Sequence, residues 1–65
     1  MIKFINGFIK LNKDNYSNIN MLVSDSIIYS KYYLYYKTKN CIYSEPVMNI
    51  INDVDYYLLN NDLFN

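Results

Sequence analysis

The sequence predicts an α+β fold: an antiparallel meander of four to five strands with one C-terminal helix packed on one face of the sheet. Three observations predict it. An Asn6-Gly7 pair separates two apolar tetrads, an Ile- and Tyr-rich stretch fills residues 19–44, and a helical period replaces the alternating one after residue 49.

Asn-Gly is the favoured pair for a two-residue hairpin turn, because both central positions need left-handed backbone angles. Such a turn sets Ile5 opposite Phe8, Phe4 opposite Ile9, Lys3 opposite Lys10 and Ile2 opposite Leu11. Alternation then gathers Ile2, Phe4, Ile9 and Leu11 on one face. Residues 12–18 read as a polar loop whose only large apolar group is Tyr16. Residues 19–23 alternate as a half-buried strand, and Ser24-Asp25-Ser26 supplies turn chemistry. Over residues 27–38, Ile and Tyr are both strand formers. One side of that strand carries Ile28, Tyr32, Leu34 and Tyr36, and the other carries Ile27, Tyr29, Lys31, Tyr33, Tyr35 and Lys37. Lys39-Asn40 closes a tight turn into a returning strand over residues 41–44, which frays at Pro46 for want of an amide hydrogen. Ile50, Ile51, Val54, Tyr57 and Leu58 then form one stripe of an amphipathic helix. Asn49 is one N-cap for it, a start at Pro46 capped by Ser44 is the other, and Asn60-Asn61 ends it.

With 65 residues the chain is read as one small domain over 1–65. A chain of this size buries roughly 60% of the surface its unfolded form exposes, so a core alone gives marginal stability. Cys41 has no second cysteine to pair with, and oligomerisation or a partner is the remaining support.

The residues that are missing exclude several chemistries. There is no His, Arg, Trp, Ala or Gln. Without His, nucleophile–imidazole pairs and the usual zinc sites are gone. The sole glycine cannot build a phosphate-cradling loop. The six carboxylates are scattered, and so short a chain has little room for a pocket. We therefore expect no enzyme, no catalytic residues, no metal and no cofactor. The longest unbroken apolar run, residues 32–36, falls far short of the roughly 20 residues that cross a bilayer. The first residues lack a secretory pattern, and one Cys fits a reducing compartment, so a cytoplasmic protein with no membrane partner is expected.

Charge is unevenly spread. Residues 1–43 hold six Lys against Asp14 and Asp25, whereas residues 44–65 hold Glu45, Asp53, Asp55 and Asp62 and no base. A net charge of zero thus hides a basic, aromatic sheet backed by an acidic helix. One short helix covers one sheet face only, and the open face carries the tyrosines. Tyr-rich patches suit protein interfaces, because they give large contact area at little entropic cost. The expected function is a small protein-binding module acting by stoichiometric binding through Tyr29, Tyr33, Tyr35 and Lys37, with Tyr16 as a loop contact. Eleven Asn, nine Ile, nine Tyr and six Lys are residues of A/T-rich codons. That composition in so small a chain suggests a phage or mobile-element inhibitor of a host enzyme or defence complex, working in the host cytoplasm. The alternative is a single-stranded nucleic-acid binder that adds Lys3, Lys10 and Lys31 to the same face, stacking bases on rings and setting ammonium groups near phosphates. An open Tyr face also predicts a homodimer.

Overall fold

Residues 2–12 form a helix, and the predicted hairpin does not exist. The structure, a computed structural model that describes residues 1–61, orders the chain as α1 (Ile2–Asn12), a short 3-10 turn (Lys13–Asn15), α2 (Ile19–Lys39) and α3 (Glu45–Asn61). Among the described residues there is no strand and no sheet, so the α+β meander is overturned in favour of a three-helix arrangement. The physical reason lies in spacing. Phe4, Gly7 and Phe8 are the buried residues of α1, an i, i+3, i+4 set that a helix aligns and a hairpin splits between faces. A helix also satisfies its backbone hydrogen bonds within its own segment, without needing correctly registered neighbours.

The same override governs α2. Its inward row is Leu22, Ser26, Tyr29, Ser30 and Tyr33, spaced i, i+4, i+7, i+8, i+11. Strand preference in Ile and Tyr mainly expresses how well they pack on a pleated surface, and tertiary packing outweighs it here. Ser24-Asp25-Ser26, the predicted turn, lies inside the helix. Ser26 and Ser30 are buried, and their hydroxyls donate to the carbonyls of Val23 and Ile27 at 2.6 Å each. Each hydroxyl is thus satisfied within its own helix, and the small side chains keep the inner surface of α2 low.

The ends of α2 are chemically marked. Asn18 caps the start, its side-chain oxygen accepting from the amides of Asn20 (2.8 Å) and Met21 (3.3 Å). Asn40 ends it in the left-handed region (φ 52°, ψ 33°), with its amide directed at the Tyr35 carbonyl. Lys39-Asn40 does turn the chain, but between two helices. Residues 41–44, predicted as a strand, form a connector without regular structure. Of the two predicted starts for α3 the earlier is observed: the Met48 amide donates to the Ser44 carbonyl at 3.0 Å, and Pro46 sits in the first turn, where no intrahelical donor is lost.

Ring contacts fix how α1 and α2 pair. Phe4 stacks on Tyr33 with centroids 4.7 Å apart, and Phe8 stacks on Tyr29 at 5.5 Å. Four residues forward on α1 is four residues back on α2, so the two helices run antiparallel. Against α3, α1 offers Gly7. A Cβ there would lie 2.8 Å from Leu58 Cδ2 and 3.4 Å from Val54 Cγ1, so the glycine permits a close helix–helix approach and makes no turn. The core is small: Phe4, Phe8, Leu22, Ile51 and Val54 are its buried apolar side chains. The predicted stripe of α3 supplies the last two.

Candidate functional site

The structure separates the tyrosines that the sequence placed on one face. Tyr29 and Tyr33 pack against the core cluster from the inner side of α2, and Tyr16 joins them from the loop. Tyr16 donates its hydroxyl to Asp25 Oδ2 at 2.6 Å, and its ring lies 6.4 Å from that of Phe8. Tyr33 donates to Asp55 Oδ1 on α3 at 3.0 Å. Burial, reinforced by a hydrogen bond to a carboxylate, pushes the Tyr16 and Tyr33 hydroxyls up from 10.0 to about 12. Burial raises Tyr29 as well. Lys37 is exposed and engaged. Its Nζ lies 3.7 Å from Asp55 Oδ2 and within 6 Å of the ring centres of both Tyr33 and Tyr36. Tyr16, Tyr29, Tyr33 and Lys37 therefore tie the loop after α1 and the three helices together. Tyr35 alone of the predicted protein-binding tyrosines points away from the core, with the Lys39 ammonium 4.8 Å from its ring centre.

The outer side of α2 exposes several apolar side chains. Val23, Ile27, Ile28, Leu34 and Tyr35 are each between 39% and 43% exposed, and Met21 extends one row toward the N-terminus of the helix. Seven-residue steps build it, from Ile27 to Leu34 and from Met21 through Ile28 to Tyr35. Asn20, Ser24, Lys31 and Thr38 run between those rows as a narrow polar strip. The inner side buries Leu22 and two serines and seats Tyr29 and Tyr33, the latter with its hydroxyl bonded to Asp55. Sequence reasoning missed Val23, Ile27, Ile28 and Leu34 because it assigned them to opposite faces of strands. The seven-residue repeat was the signal available.

The basic residues do not form one patch by these contacts. Lys3 and Lys10, seven apart, share a flank of α1, whereas Lys31 stands on the outer strip of α2. An open groove of about 420 Å³ lies between the end of α1 and α3, lined by Asp53, Tyr56, Tyr57 and several asparagines. The amides of Asn12, Asn60 and Asn61 donate back to carbonyls of their own helices, and among the described lining residues Asp53 is the one carboxylate. No acid–base pair stands among the described residues of that lining. Among the described residues no group of three Cys, Asp or Glu gathers to hold a metal, and no helix is long and apolar enough to cross a membrane. Asp62, counted in the acidic half of the sequence, lies outside the described residues. Comparison with protein-family models, curated proteins and solved structures finds no match to this chain.

Proposed function

We propose that the protein is a non-enzymatic binding module that acts by stoichiometric association with protein, and that the outer face of α2 is its docking surface. One observation carries the reading: α2 exposes Val23, Ile27, Ile28 and Leu34, while Leu22, two serines, Tyr29 and Tyr33 face the core. Aliphatic side chains in water gain about 25 cal/mol per Å² when a partner covers them, so the exposed side of this helix is the one with free energy left to gain. Tyr35 adds an aromatic anchor at one end of the face.

The biological form of that association, on this reading, is inhibition of a host enzyme or defence complex by a phage or mobile-element product in the host cytoplasm. Its support is compositional: a 65-residue chain rich in Asn, Ile, Lys and Tyr and lacking Ala and Arg. Capture from lysate, with and without nuclease, tests the binding mode. Wild-type chain should retain its target after nuclease treatment and in raised salt, and Ile28→Asp should lose it. Loss of capture on nuclease treatment, with a steep salt dependence and sensitivity to Lys3, Lys10 or Lys31, would replace the reading with nucleic-acid binding.

A further inference from the structure

We infer that the occupant of the outer face of α2 is a second copy of this chain, packed antiparallel across a two-fold axis that passes between Ile27 and Ile28. The inference rests on the reading of that face as a docking surface and adds to it an occupant and a register.

Size is the first argument. Seven large apolar side chains of α2 are exposed. Six of these, all but Ile19, flank the outer side in two rows, and at their fractional exposures they leave roughly 500 Å² uncovered, comparable with the largest apolar patch of a typical monomer. With the polar strip between the rows, the face approaches the roughly 800 Å² per partner of a standard interface. Among the described residues five apolar side chains are buried within one chain, so covering this helix would add substantially to a small core.

Self-complementarity is the second argument. An isologous contact sets each residue opposite a fixed counterpart, and both halves must fit at once. The axis runs across both helices, so each row faces its own counterpart: Ile27 meets the second copy's Ile27 and Leu34 its Val23 on one side, while Ile28 meets its Ile28 and Tyr35 its Met21 on the other. Apolar rows then face apolar rows on either side of the polar strip. Along the central strip, Lys31 meets Ser24, whose small side chain leaves room for the lysine stem to lie flat while the ammonium reaches water. The two Lys31 residues are seven positions apart along the axis, about 10 Å, so they do not confront one another. A register centred on Lys31 would oppose them directly. A net charge of zero adds no overall repulsion between copies.

Sedimentation equilibrium of the full chain at about 10 μM tests the occupant, since interfaces of standard size span micromolar affinities and tighter. The expected species has twice the 7.8 kDa mass of one chain. Ile28→Asp and, separately, Leu34→Lys should keep the helix content by far-UV circular dichroism and weaken association at least tenfold. For the register, Ser24→Cys and Lys31→Cys are placed in a Cys41→Ser background. Mixed chains should cross-link under mild oxidation, and neither should cross-link alone. A dimer that survives both face variants would overturn the location, and self-cross-linking by Ser24→Cys alone would overturn the antiparallel register. A monomeric wild type overturns the second copy. If lysate capture by that monomer is still lost in Ile28→Asp, the docking face stands with another partner, and if capture is unaffected both readings fall.

Discussion

Replacing Gly7 by Val is the most direct probe of the packing between α1 and α3. The substitution sets two effects against each other. Val in place of Gly in a helix interior gains about a few tenths of a kcal/mol in intrinsic preference. A Cβ at this position, however, would stand 2.8 Å from Leu58 Cδ2, 3.2 Å from Leu58 Cγ and 3.4 Å from Val54 Cγ1. The first distance requires movement, and the branched methyls of Val add two more carbons to the same seam. Leu58 is half-buried and has some room to turn, whereas Val54 is fully buried and does not. Overpacking of this kind costs about 1–3 kcal/mol, so packing wins and a net loss of about 2 kcal/mol is expected. In a domain of this size, whose core supplies about 3–5 kcal/mol, that should appear as a large fall in the urea midpoint at fixed protein concentration. The decisive step is the double mutant. Leu58→Ala removes the atoms that the introduced valine would strike, so it should recover at least about 1 kcal/mol relative to the sum of the single changes. Additivity within about 0.5 kcal/mol would refute the close approach. The double mutant also separates the helix from the predicted hairpin, in which Gly7 would matter equally but Leu58 would have no reason to compensate.

Other outcomes follow from the same contacts. Ile51 is 0% exposed, so Ile51→Asp should place an unpaired charge in the core and unfold the chain, read as loss of near-UV circular dichroism; a folded variant would mean the stripe of α3 is misplaced. Asn18→Ala removes the side-chain acceptor for two amides at the start of α2 and should cost about 1 kcal/mol by urea denaturation. Tyr16 and Tyr33 are raised to about 12 in the folded chain against 10.0 for the free group, so folding favours their protonated forms. That contribution is fully present below about pH 10 and is lost as pH rises from about 10 toward 12. Ultraviolet titration should show these phenols ionising late, and Asp25→Asn or Asp55→Asn should bring the corresponding one forward.

What was legible in the sequence divides along a physical line. The stripe of Ile50, Ile51, Val54, Tyr57 and Leu58 showed α3, because its period matches a helix over several turns. The polar break at residues 12–18 was also visible, and it joins α1 to α2. For α1 and α2, local chemistry pointed the wrong way. Asn6-Gly7 is a strong turn signal taken alone, yet here Asn6 is a helix residue and Gly7 is selected by what lies across from it, Leu58 and Val54. Ser24-Asp25-Ser26 is likewise turn chemistry taken alone, but Ser26 is small for packing and Asp25 is the acceptor for Tyr16. Neighbours distant in sequence decide both sites, and no local window contains them.

The tyrosines carry the same lesson to the exposed face of α2. An apolar side chain with a hydroxyl tip can face solvent or an interior, and residue type does not decide between them. In this chain two carboxylates decide. Asp25 takes the Tyr16 hydroxyl, and Asp55 takes that of Tyr33 while holding Lys37. With their hydroxyls satisfied inside the protein, these rings can fill the seams between helices, and Tyr29 fills the space against Phe8. Once Leu22, the serines and the tyrosines occupy the inner side of α2, the geometry of a helix leaves Val23, Ile27, Ile28 and Leu34 exposed. The aliphatic outer face is therefore a consequence of how the core is built. A partner that covers it completes a burial that the isolated chain begins.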